Sequence, residues 1–166
     1  MNEVSARLGL PLLAAGQAQK EVTHNEALAL LDLVVAAGVE AVGLDVPPAD
    51  PAPGQVWIVG SAPLGAWTGR AGSVAGWTGG GWRFVAPFEG LRVWIAPERL
   101  EARFTGGGWV TGEVRASRVL VDGAPVLAAR QPAIDAPEGG PVVDAEARAG
   151  VAAVLAALRA HGLIAS

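Results

Sequence analysis

His24 and His161 are the only histidines of this 166-residue chain, Lys20 is its only lysine, and it has no cysteine. Histidine, lysine and cysteine are the side chains from which bases, activated nucleophiles and metal sites are most often built. The two imidazoles lie near opposite ends of the sequence, so a histidine-based triad could use only one of them, and no G-x-S-x-G elbow accompanies either. Neither histidine has a second ligand at helical spacing, so no metal site is expected. The run "TGGGW" lacks the G-K-[ST] that grips phosphate and magnesium. Glu98 and Glu101 could in principle serve a glycosidase or polysaccharide depolymerase, but any exposed turn can supply two carboxylates, and that reading ranks last. No catalytic residue, metal or cofactor is assigned, and an enzyme is not expected.

The polar residues concentrate in "GQAQKEVTHNEAL", positions 16–28, which holds Gln17, Gln19, Lys20, Glu21, His24, Asn25 and Glu26. Thr23 with Glu26 reads as a T-x-x-E capping box at a helix start, with the residues before it as a solvated approach. The helix then runs through "HNEALALLDLVVAA" and is expected to stop at Gly38. Leu28, Leu30, Leu31, Leu33, Val34 and Val35 cover almost its whole circumference, with Asp32 the lone charge. Such a helix must be enclosed by its domain or by neighbouring subunits, which points to an oligomer. His24 and Asn25 on its first turn suit a polar docking collar on an oligomeric stalk, with Leu28, Leu31 and Val35 behind it.

Six tryptophans and no tyrosine mark the middle of the chain. Trp57, Trp67, Trp77, Trp82, Trp94 and Trp109 all fall among short strand candidates. Core packing is the favoured reading for any one ring, because large aromatics dominate core energetics. The competing reading is a glycan platform, for which Trp67, Trp77 and Trp82 are the candidates, since neighbouring glycines could leave those indoles open.

The elements that must position these residues fall into three zones. Residues 1–43 read as a helical docking and oligomerisation segment. Residues 44–129 are β-rich: "QVWIV", "SVAGW", "WRFVA", "LRVWIA", "EARF", "GWVTG", "SRVLV" and "PVLAA" alternate with glycine turns, and Asp122-Gly123 is a hairpin signal. "TGGGW" occurs twice, and "GQVWIV" resembles "GLRVWIA", an internal echo too short for a solenoid. Residues 130–166 are a Pro/Gly loop and a helix capped by Asp144 and closed at Gly162. The expected fold is α+β: an N-terminal helix, a small antiparallel β-sandwich or open barrel, and a C-terminal helix.

Composition narrows the partners. The chain is 51% hydrophobic and 17% charged, enough for a sizeable core, and its net charge is −4. Arginines between Arg92 and Arg130 alternate with Glu98, Glu101, Glu113 and Asp122, so no basic stripe forms and no nucleic-acid partner is expected. No run approaches the roughly 20 apolar residues of a membrane span. The N-terminus does not read as a signal peptide, so synthesis in the bacterial cytoplasm is expected.

"SARLGLPLLAAGQAQKEVTHNEALALLDLVV" resembles the N-terminal signature of the DUF2793 family, found in phages and gene transfer agents. The resemblance continues through "PPADPAPGQVWIVG", "GAWTG", "VAGWTGGGWRFVAPFEG" and "VDAEARAGVAAVLAALRAHGLI". It implies a structural protein of virion spikes or tail fibres, with a gene transfer agent head spike or spike base as the nearest likeness. It also implies a helix entry used in assembly or anchoring, which assigns Gln17, Gln19, Lys20, His24 and Asn25 to docking. The partners it implies are further copies of the chain, as trimer or pentamer, together with a capsid vertex or another spike or fibre protein. Host capsular polysaccharide is a further expected partner. A free-standing carbohydrate-binding module is the alternative.

Overall fold

The computed structural model of the chain describes residues 4–16, 19–35, 37–140 and 144–165. Two helices and ten strands lie among them, in an α+β arrangement with one helix near each end. The strands form open sheets and not a closed barrel. Residues group into two compact units, Met1–Glu113 and Val114–Ser166. These borders differ from the expected ones at 43 and 129. The first helix belongs with the sheets because its Leu33 sits in their core, and the last hairpin belongs with the C-terminal helix.

In Met1–Glu113, helix α1 (Lys20–Val34) precedes β1 (Gly38–Val39), β2 (Val42–Leu44), β3 (Val56–Val59), β4 (Val74–Thr78), β5 (Gly81–Val85), β6 (Arg92–Ile95), β7 (Leu100–Thr105) and β8 (Gly108–Thr111). Two four-stranded sheets result, ordered β2-β3-β4-β5 and β1-β6-β7-β8. Each begins with a short edge strand running parallel to its neighbour and continues as an antiparallel meander. The internal echo is therefore one design used twice. Both "TGGGW" runs turn a hairpin, pairing Thr78 with Gly81 and Thr105 with Gly108.

Strand alternation divides the side chains between two clusters. Val56, Ile58 and Val74 from one sheet meet Val93, Ile95 and Ala102 from the other, with Leu33 of α1, in a shared core. Trp57, Val59 and Ala75 point the opposite way, into a second cluster with Trp67. All four residues of β3 are buried for this reason.

Helix α1 departs from its expected boundaries at both ends. It starts at Lys20, after Gln19 in a left-handed conformation, so Thr23 lies inside the first turn and is no N-cap. Glu26 does not close a capping box; its carboxylate reaches Arg83 of β5 at 2.8 Å. The C-terminus comes at Val34, because Val35 is already extended, and Gly38 serves as the first residue of β1. The Arg7 guanidinium supplies the missing cap: it donates to the carbonyl of Asp32 and, at 3.4 Å, to that of Val35. A cation there also suits the negative end of the helix.

In Val114–Ser166, β9 (Val119–Val121) and β10 (Ala124–Leu127) form a hairpin, and α2 spans Ala145–Ala160. Asp122 and Gly123 both have positive φ, as the Asp-Gly turn signal predicts. Asp144 caps α2 by accepting from the Ala147 N–H at 2.8 Å. At its other end Gly162 donates to Arg159 and Leu163 to Leu158, a Schellman closure.

Candidate functional site

The polar stretch before and within α1 builds a clamp. Asp32 is 4% exposed, and its carboxylate accepts from the Ser5 hydroxyl at 2.7 Å, the Leu8 N–H at 2.7 Å and the Arg7 N–H at 3.0 Å. Ser5 Oγ in turn accepts from the Leu10 N–H, and Val4 pairs with Pro11 in an antiparallel bridge. "SARLGLP" is thus a tight loop folded around one buried carboxylate, in which each donor aimed at Asp32 offsets its desolvation.

Two helical turns earlier, Asn25 fastens the strap again. Its Oδ1 accepts from the Leu13 N–H at 2.9 Å, and its Nδ2 donates to the Leu13 carbonyl at 3.0 Å. Glu21 accepts from Gly16 N–H at 3.3 Å. Asn25, assigned to a docking collar, has its amide engaged within the chain.

The other assigned docking residues lie elsewhere on the helix. Gln19 and Lys20 are exposed, and His24 is exposed with its Nδ1–H donating to the Lys20 carbonyl at 2.9 Å. Lys20, His24, Leu28, Leu31 and Val35 follow one another at spacings of three and four, along one face of the helix. Leu31 and Val35 are exposed and Leu28 is half-buried. Gln17 lies outside the described residues.

The strap, α1 and the β4–β5 turn border a groove of about 880 Å³. Asn25, Glu26, Asp32, Trp77, Thr78 and Arg83 are among its walls. Its charged groups already have partners: Asp32 with the strap, and Glu26 with Arg83. The Thr78 hydroxyl donates to Gly81 O at 2.8 Å. What remains open is the half-buried Trp77 indole beside a neutralised ion pair, an arrangement able to contact a ligand but holding no nucleophile beside a base.

The tryptophans divide differently from the expected platform. Trp67 is 0% exposed, in a 3-10 turn at Gly65–Trp67, and it stacks edge-on to Trp82 at 5.1 Å and lies 6.3 Å from Trp57. Trp67 is therefore core and cannot present a ring to a glycan. Its preceding Gly65 allows a positive φ in the turn that drives the indole inward, rather than leaving it open. Trp82 is half-buried at the centre of the cluster, against Trp57, Trp67, Trp77 and Phe84. Trp77 is half-buried at the groove. The exposed indole is one that sequence reasoning passed over, Trp94 of β6. Alternation in "RVWI", with Val93 and Ile95 inward, places Trp94 on the outer face, but the same pattern surrounds the buried Trp57, so it marks the face and not the exposure.

Among the described residues, no three His, Asp or Glu side chains group so as to hold a metal ion, and no helix is long and apolar enough to cross a membrane. No curated protein matches the sequence. The model of the family described as "Protein of unknown function (DUF2793)" matches residues 24–110, which take in α1 from its second turn and both sheets almost to the end of β8. That match covers more than half of the chain, and this protein belongs to the DUF2793 family.

Proposed function

We propose that this chain is a structural, non-enzymatic component of a virion-type particle: a head spike or spike base of a phage or gene transfer agent. It assembles as a closed homo-oligomer, trimeric in a fibre-like spike or pentameric on an icosahedral vertex. It is made in the bacterial cytoplasm, docks on a capsid vertex or another spike or fibre protein, and contributes to attachment at the host capsule.

One observation carries the assembly half of this reading. Val114–Ser166 has little core: among its described large apolar side chains only Leu155 and Ile164 are buried. Both faces of the β9–β10 hairpin are exposed, including Val119, Leu120, Val121, Val126 and Leu127, and so are Val151 and Val154 of α2. An isolated two-stranded hairpin is marginal in water, and a segment this small needs burial from elsewhere. Neighbouring copies that pair the same surfaces would provide it. The Leu31–Val35 ridge of α1 is a second uncovered apolar strip of the same kind. The particle context comes from the likeness of the N-terminal signature to spike and fibre proteins.

The test is made on particles. In the bacterium that encodes the chain, purified particles are expected to contain it at fixed stoichiometry, and deleting its gene is expected to reduce adsorption to encapsulated cells. A chain found only free in the cell, with adsorption unchanged by deletion, contradicts the proposal.

A further inference from the structure

The repeated design of Met1–Glu113 exposes one side chain that its counterpart buries. "VWI" occurs at positions 56–58 in β3 and again at 93–95 in β6, and each strand lies between a parallel edge strand and an antiparallel partner. In both copies the valine and isoleucine enter the shared core, which sends the tryptophan to the outer face. Trp57 is 5% exposed there, with Trp67 and Trp82 against it. Trp94 is 49% exposed and has no aromatic partner among the described residues.

A shift in register explains the difference. Ala75 stands opposite Trp57 and Glu101 opposite Trp94, and one residue more separates Glu101 from Thr105 than Ala75 from Thr78. A slip of one residue moves the following side chains to the other face. Trp82 therefore covers Trp57, whereas its counterpart Trp109 turns inward, packs on Phe104 and donates its Nε1–H to the Gly72 carbonyl at 2.8 Å.

The surface beside Trp94 is open. Its register partner on β1 is Gly38, where an added Cβ would meet nothing within 4 Å. Ala37, Arg92, Val93, Trp94 and Glu101 line a shallow depression of about 250 Å³. That lies below the roughly 300 Å³ of the smallest ordinary ligand pockets, which suits a single ring held partly in solvent.

The charges around the indole are unbalanced. Arg92 and Arg103 stand directly opposite each other on β6 and β7, a like-charge placement that weakens strand pairing. Glu101 approaches Arg92 Nη1 at 3.5 Å, and Arg103 has no ion-pair partner among the described residues. Two guanidinium groups against one carboxylate leave a net positive charge next to a bare aromatic face.

We propose that Trp94, Arg92 and Arg103 bind an acidic pyranose, a hexuronate unit of a polysaccharide. The apolar C–H face of the sugar ring lies on the indole. The guanidinium pair receives the uronate carboxylate, for which a planar fork of N–H donors is the matching geometry. Glu101 accepts from ring hydroxyls and excludes a second anion. The net charge selects uronates over neutral sugars. This inference rests on the reading of the chain as an adhesive surface protein, and it uses none of the residues named for assembly above.

The full-length protein would be titrated at low salt with trigalacturonate, a hyaluronan tetrasaccharide and, as the neutral probe, maltotriose, by calorimetry and tryptophan fluorescence. At least one uronate oligomer is expected to bind about tenfold or more tightly than maltotriose. Trp94→Ala and Arg92→Gln should each weaken that binding about tenfold or more, and Trp94→Phe should keep most of it. Native mass and circular dichroism should be unchanged in all three, with Arg103→Gln taking the place of Arg92→Gln if the latter disturbs the hairpin. Equal or no binding of the uronates relative to maltotriose overturns the proposal, as does uronate binding that survives these substitutions. A change of native mass on Trp94→Ala also overturns it, making this face an interface between copies. The assembly reading fails separately, on the native mass of the unsubstituted protein.

Discussion

Ser5 donates its hydroxyl to the buried carboxylate of Asp32 at 2.7 Å across 27 positions of sequence. The bond joins the N-terminal strap to the last turn of α1 and makes the buried carboxylate of that helix its anchor. Asp32→Ala removes the acceptor for Ser5, Arg7 and Leu8 at once. Orphaned donors in a desolvated site cost about 1–3 kcal/mol each when water cannot reach them. Because the strap can partly open to solvent, a loss of about 2–4 kcal/mol is expected, against about 1 kcal/mol for Ser5→Ala. Chemical denaturation of both variants, with hydrogen exchange at the Leu8 amide, checks the order.

Asn25→Asp removes the Nδ2 donor and places a carboxylate against the Leu13 carbonyl. A loss of about 1–2 kcal/mol is expected, with faster exchange confined to the strap. A change spread over both sheets would show that Asn25 supports more than the strap.

Gly76 in β4 lies under Leu33 of α1, and a Cβ there would run into both Leu33 methyl groups. Gly76→Ala is expected to destabilise by about 1–3 kcal/mol through overpacking. Leu33→Ala alone should cost about 2–5 kcal/mol by leaving a cavity. The double variant should be less damaged than the sum of the two, because the new methyl enters the space Leu33 vacates. Strict additivity in thermal melts would contradict this packing.

Much of the fold is legible in the residues, and the failures have physical causes. Strands β3 to β10 follow from short apolar runs between glycine turns, and the Asp122-Gly123 turn and Asp144 cap from local chemistry alone. The strands β1 and β2 are hidden in "GVEAVGL", because parallel edges of two or three residues are too short to show alternation. The start of α1 is displaced because Lys20, Glu21 and Val22 extend the helix past Thr23, and its end because the cap is Arg7, remote in sequence. Exposure of the tryptophans depends on register between strands. No local pattern distinguishes Trp57 from Trp94, although both stand in "VWI".

That distinction has a thermodynamic form. Trp67→Ala should cost about 3–5 kcal/mol, as expected for a large side chain removed from a core. Trp94→Ala should change stability by no more than about 0.5 kcal/mol, as at an ordinary surface position. Equilibrium unfolding in urea separates the two. Comparable losses would mean that Trp94 is structural and would remove the basis for a binding face there.

The central claim is that the uncovered apolar surfaces of this chain are met by further copies of itself, and native mass measured by light scattering on the full-length protein tests it most directly. A single trimeric or pentameric mass is predicted, stable on dilution and reduced when Leu120→Asp and Val126→Asp are introduced together into the β9–β10 hairpin. A monomer at every concentration, or an oligomer indifferent to those two charges, would contradict the account.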